Sequence, residues 1–304
     1  VPPLAPSNPF TIIKAREVIY GYCIVGIMAG STLRGLQQLT DLSADDPFWT
    51  SISYGLLMLP LAGWFLWRVR SVGGNLQYLW GRVPKRMRWG RLFGLTITTL
   101  MTSLGLFMLF TYLWYSISPD SMAHLFDRML RLKSSLRPAN SVLPEISKVL
   151  TLITVIIVAP LTEEFIFRGI LLQRWATKWN LPIALILSSI LFGLLHLNSF
   201  GAGILGLVVG VLYCQTKSLW VPVAFHATNN TIASLSIVLP PNLPSTASVG
   251  AMENVASHGW TGFVWVCLAA PWVIQFLRRN FPRKDALIPY LRNQIRAYQR
   301  RSYR

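Results

Sequence analysis

Apolar residues in this chain come in long, nearly unbroken runs separated by short polar connections. They do not form the narrow stripes expected of a soluble helical bundle. Eight such runs occupy residues 17–33, 48–67, 92–117, 146–172, 181–197, 200–214, 219–239 and 260–277. A bilayer core about 30 Å thick is crossed by about 20 helical residues. The pattern therefore predicts an all-α, polytopic membrane protein of about eight transmembrane helices enclosing a cavity within the membrane. Pro60 and Pro222 fall inside runs, where neighbouring helices can re-satisfy the backbone groups they free. No connection is long enough to separate two soluble domains, and there is no internal repeat. The chain divides into N-terminal helices and loops (1–144), a core (145–240), and a last span with a basic tail (241–304).

Composition agrees with this reading. Of 304 residues, 53% are hydrophobic and 13% charged, against about 25% charged in a soluble domain. The net charge of +17 raises the question of nucleic acid, but its distribution answers differently. Lys and Arg concentrate in 68–91 and from Arg278 onward, with Lys14, Arg16, Arg174, Lys178 and Lys217 on the same side of the predicted spans. The positive-inside rule then puts both termini on the cytoplasmic or stromal face, and membrane lipid rather than nucleic acid is the expected partner of these charges. Arg128, Arg131, Lys133 and Arg137 run against the rule, and residues 121–137 read as an interfacial helix. Cys23, Cys214 and Cys267 lie in apolar surroundings without metal-ligand spacing and read as small hydrophobes.

An ionisable side chain inside the membrane is costly unless paired, and marks a site by default. Few qualify: Glu163, Glu164 and Arg168 in the fourth run, His196 in the fifth, and His226 with Asn229 and Asn230 in the seventh. Glu164 and Arg168 are four apart with the acid first, the favourable order for an ion pair on a helix. Glu163 lies about 100° away around that helix and is free to face a cavity as a general base. His226 and Asn230 are also four apart and form a candidate donor pair for an oxyanion, with Asn229 off that face as a structural residue. His196 is placed to share and orient a water with Glu163. Read alone, each histidine is as well explained by helix packing, and the glutamates by a helix leaving the membrane. Together they suit water-mediated attack on a carbonyl. Two His and a Glu are also zinc ligands, though no H-E-x-x-H occurs, and intramembrane charge marks ion pathways as well.

The motifs "EEFIFR" (Glu163–Arg168), "FGLLH" (Phe192–His196) and "HATNN" (His226–Asn230) resemble, in order, the E-E-x-x-x-R, F-x-x-x-H and H-x-x-x-N patterns of the CPBP family. That family comprises type II CAAX prenyl endopeptidases, bacteriocin-processing proteins and Abi-type proteins. The resemblance covers about residues 145–240. It implies an intramembrane glutamic endopeptidase with a cavity open to the cytoplasm. Glu163 would be catalytic, His196 would bind water, His226 and Asn230 would form the oxyanion site, and Glu164 and Arg168 would support them. No cofactor is implied, with zinc as the alternative. The implied partner is a peptide or protein substrate, lipidated or membrane-bound. The implied location is a bacterial inner membrane or a plastid-type membrane. A non-catalytic membrane scaffold is the competing reading. Depth is an awkward test: at ~1.5 Å per residue from the ends of the runs, Glu163 lies about 13 Å and His196 about 22 Å from the cytoplasmic boundary, too far apart unless the fifth span starts late or tilts strongly.

Overall fold

The computed structural model describes residues 8–122, 124, 141–235 and 258–302. The predicted interfacial helix at 121–137 lies almost wholly outside them. Among the described residues the fold is all-helical, as the apolar runs require. A 3-10 turn at Pro9–Thr11 precedes α1 (Ala15–Gln38), α2 (Phe48–Ser71), the short α3 (Leu76–Trp80) and α4 (Trp89–Ile117). The long α5 (Pro144–Lys178) follows. After it come α6 (Leu181–Leu194), α7 (Ser199–Thr216), α8 (Trp220–Ala233), α9 (Thr261–Asn280) and α10 (Pro289–Ser302). Each of the eight predicted runs is a helix. Six of them, α1, α2, α4, α5, α7 and α9, are long and apolar enough to cross a membrane, and the protein is an integral membrane protein.

The other two helices, α6 and α8, have 14 residues each, about 21 Å of rise, too short for a ~30 Å core. Their starts are sharp. Asn180 Oδ1 accepts from Ile183 N at 3.0 Å to cap α6, and Asn198 Oδ1 accepts from Gly201 N at 3.0 Å to cap α7. Between them His196 N donates to Gly193 O at 2.9 Å, turning the chain. His196 therefore stands in the turn beyond the end of α6, not inside a span. Hydropathy missed this because the run "LLHLNSF" stays apolar through the turn.

α7 is the most enclosed span, and α5 packs beside it; α1 is nearly all lipid-facing. α4 and α9 touch through their backbones: a Cβ on Gly105 would stand 2.8 Å from Gly262 O. Small residues at this crossing let the helices approach closely, the main source of association in lipid.

The end of the bundle that carries most of the basic residues is tied together by polar contacts. Arg174 Nη1 donates to Phe10 O at 2.7 Å, and Leu219 N to Trp80 O at 2.8 Å. Asn293 Nδ2 donates to Tyr78 O at 2.8 Å and to Lys217 O at 2.7 Å. α3 thus lies under the start of α8. Trp80 packs on Trp220 with ring centres 4.6 Å apart and stacks on Phe165 at 6.0 Å, closing the bundle beneath the glutamates. At the other end Asp46 joins α2 to α5. Its carboxylate accepts from Phe48 N (2.9 Å), Ser141 Oγ (2.6 Å) and Val142 N (2.9 Å). Burial disfavours its charge, but these three donors outweigh burial and hold the Asp46 carboxyl below the usual aspartate value.

Candidate active site

α5 is not a uniform helix. Thr154–Val158 and Phe165–Leu171 have π geometry, with the α-helical turn Ala159–Glu164 between them. Pro160 accounts for the first. Ala159 N donates to Thr154 O, and Pro160 has no N–H to give, so Val155 O lacks both its four-residue and its five-residue main-chain donor. Asn230 Nδ2 fills the gap, donating to Val155 O at 2.8 Å. One of the two amide hydrogens of Asn230 is thereby committed to the backbone of α5. Asn229 Nδ2 reaches Asn230 Oδ1 at 3.4 Å.

The two glutamates have opposite surroundings. Glu164 is fully buried. Its Oε1 accepts from Arg168 Nη1 at 3.2 Å and from His226 Nδ1 at 2.9 Å. The pairing with Arg168 is the one the spacing predicts. The bond from His226 is additional to it. Arg168 is also fully buried. Its Nη2 donates to Gly206 O at 2.9 Å, and its guanidinium lies 4.6 Å from the Phe192 ring centre. A Cβ at residue 206 would stand 3.1 Å from Nη2, so only glycine leaves that approach clear.

Glu163 is less enclosed, with 12% of its side chain exposed. Tyr54 Oη on α2 donates to Glu163 Oε1 at 2.7 Å. Glu163 Oε2 lies 3.8 Å from His196 Nε2 and 3.9 Å from His226 Nε2, and has no protein hydrogen-bond partner. Both imidazoles are oriented from behind. His196 Nδ1 meets Phe192 O at 2.7 Å; a carbonyl only accepts, so Nδ1 carries the proton. His226 Nδ1 faces the Glu164 carboxylate for the same reason. In each neutral ring the lone pair therefore sits on Nε2, aimed at the face of Glu163. Glu163 Oε2 stands 3.8–3.9 Å from each imidazole Nε2, too far to bond either directly and close enough for one oxygen to bridge the carboxylate to an imidazole at about 2.8 Å.

The structure thus brings Glu163, Glu164, Arg168, His196 and His226 into one cluster, with Asn230 beside it on the π turn. It also resolves the depth conflict. α5 continues to Lys178, so Glu163 lies about 22 Å along the helix from that end, and His196 lies about as far from the start of α6. Tyr54 was missed in the sequence because a tyrosine in an apolar run reads as packing or as the interfacial aromatic belt.

Residues 145–232 match the family model described as type II CAAX prenyl endopeptidase Rce1-like, a stretch that contains every residue of the cluster except Tyr54. The chain is 35% identical over 89 residues to "Putative membrane peptidase YdiL" of Bacillus subtilis (strain 168), an alignment covering 28% of this chain and 36% of that protein. It is 30% identical over 105 residues to "Uncharacterized 24.3 kDa protein" of Escherichia coli, covering 32% and 48% respectively. The matched stretches thus span less than half the length of these relatives. No solved structure matches the chain.

Proposed function

We propose that the protein is an intramembrane endopeptidase that hydrolyses a peptide bond with water activated by Glu163. The observation that supports this best is the convergence of Glu163 Oε2 with two imidazole Nε2 atoms at 3.8 and 3.9 Å, while Tyr54 holds the other carboxylate oxygen. Water seated among these groups gives a proton to Glu163 as its oxygen attacks the carbonyl carbon. In its doubly protonated form His226, with Nδ1 on Glu164, presents Nε2 as a donor to the new oxyanion. The uncommitted amide hydrogen of Asn230 is the second donor. When the tetrahedral species collapses, the C–N bond breaks and Glu163 returns its proton to the departing amine. No covalent enzyme intermediate forms. The substrate is a membrane-bound or lipidated protein segment, prenylated CAAX sequences being the class to try first. The chain sits in a bacterial inner membrane or a plastid-type membrane, with both termini on the cytoplasmic or stromal side.

The same geometry favours one second reading. Three lone pairs from His196, His226 and Glu163 converge, the donor set of a His₂Glu zinc site. Their 3.8–3.9 Å spacing exceeds the ~3.3 Å edge of a tetrahedral site with bonds near 2.0–2.1 Å. Among the described residues no group of three or more His, Cys, Asp or Glu is placed to hold a metal ion. If bound there, zinc would polarise the carbonyl and acidify the attacking water.

The test is cleavage of a quenched prenyl-peptide and a peptide library by purified protein. Glu163→Gln should reduce cleavage by about 10²–10⁴-fold, the usual worth of a general base, and a strong chelator should change nothing. Loss on chelation with recovery in zinc selects the metal reading. A Glu163→Gln protein as active as the wild type removes both.

A further inference from the structure

A groove of about 730 Å³ opens at the basic end of the bundle, away from the glutamates, between the start of α4 and the end of α9. Its rim carries Arg88, Arg91 and Arg279. All three are exposed, and among the described residues none of their side chains forms an ion pair or hydrogen bond. Its floor is apolar, built from Leu92, Leu95, Leu212 and Phe276. Trp89, half exposed as the first residue of α4, marks the level of the membrane–water boundary, where such residues gather. The site is therefore cationic where lipid headgroups lie and apolar where acyl chains begin. No acidic residue occupies the first turn of α4, so Arg88 and Arg91 crowd the positive end of a helix with no carboxylate in that turn to offset them.

We propose that this groove binds one anionic phospholipid, its phosphate among Arg88, Arg91 and Arg279 and one acyl chain along Leu95 and Phe276. Charge and shape each carry part of the recognition, and they are separable. A Cβ at Gly94, on the groove wall, would meet nothing within 4 Å, so a large side chain there fills the groove without moving the backbone or altering any charge.

Native mass spectrometry of the full chain, titrated in detergent with phosphatidylglycerol, phosphatidylcholine or inorganic phosphate, tests the proposal. Wild type should retain one phosphatidylglycerol and neither of the other two. Arg88→Gln/Arg91→Gln/Arg279→Gln should bind about a hundredfold more weakly, at roughly a factor of five per arginine. Gly94→Trp should lose the adduct with all arginines in place. The control Arg292→Gln/Arg296→Gln/Arg300→Gln on α10 should bind as wild type. An adduct that survives Gly94→Trp, or that weakens equally in the control, means diffuse surface attraction and overturns the groove. Retention of phosphatidylcholine equal to phosphatidylglycerol, or equal competition by inorganic phosphate, overturns the anionic lipid as occupant. Circular dichroism and elution volume verify that each variant is folded.

Discussion

Two networks of buried polar side chains lie one turn apart on α5, and they are finished to different degrees. In the one nearer the basic end, Gln173 Nε2 donates to Tyr213 Oη at 2.8 Å and its Oε1 accepts from Tyr290 N at 3.2 Å. Tyr213 Oη passes a hydrogen to Leu79 O at 3.0 Å, and Tyr290 Oη accepts from Asn75 N at 3.0 Å. Four chain segments are locked together and every polar atom of Gln173 and both tyrosine hydroxyls is used. In the other network Glu163 Oε2, Glu164 Oε2 and Arg168 Nε have no protein partner. Structural networks are stable when complete. Unused bonding capacity on buried ionisable groups costs stability and belongs where something else is to be bound or moved.

The sharpest way to break this contrast is to remove Arg168. Arg168→Met should destabilise the protein by about 3–5 kcal/mol, because it leaves the buried Glu164 charge without its guanidinium. Thermal unfolding in detergent reads this, and a midpoint unchanged from wild type would mean the pair is not a charged one. Gln173→Ala should cost about 1–3 kcal/mol by stranding Tyr290 N, with the activity of the still-folded fraction unchanged; a drop in that specific activity would merge the two networks into one. Tyr54→Phe should act the other way. It removes one hydrogen bond to a charged group, worth about 1.5–3 kcal/mol, so cleavage should fall about ten- to a hundredfold in kcat with KM nearly constant, while the unfolding midpoint moves little. The smallest effect is expected at Asp46. Its carboxyl titrates below the ordinary value, so the folded state favours its charged form. That contribution is complete above the unfolded value of about pH 3.9 and is lost as pH falls through the folded one. The thermal midpoint measured downward from pH 5 should decline less steeply in Asp46→Asn than in wild type.

Most of the catalytic candidates were legible because charge and amide groups stand out in apolar runs. Glu163, Glu164, Arg168, His196, His226 and Asn230 are conspicuous for that reason alone, and Glu164–Arg168 pairs as helical spacing predicts. What was not legible depends on the backbone or on aromatic residues. Tyr54 contributes its hydroxyl from a helix 109 positions away, and no periodicity distinguishes it from a packing tyrosine. Asn230 is held by a carbonyl that is orphaned only because Pro160 follows a π turn, which composition does not encode. The end of α6 at Leu194 is hidden inside apolar sequence; Asn198, the cap of α7, was the one local sign of a break. Each of the eight runs carries a helix, while α6 and α8, at 14 residues each, fall short as spans.

The π turns of α5 make the chemistry depend on chain length. A π turn holds one more residue than the α turn it replaces, so each behaves as a built-in insertion that regular helix geometry would expel. Deleting one residue from Thr154–Val158 would let that turn close into a regular helix with the flanking segments nearly in register, so what it removes is the widened turn to which Asn230 is bonded. In this segment, then, one residue can be lost without turning Glu163 from its imidazoles, and the cost falls on the contact that Asn230 makes with the widened turn.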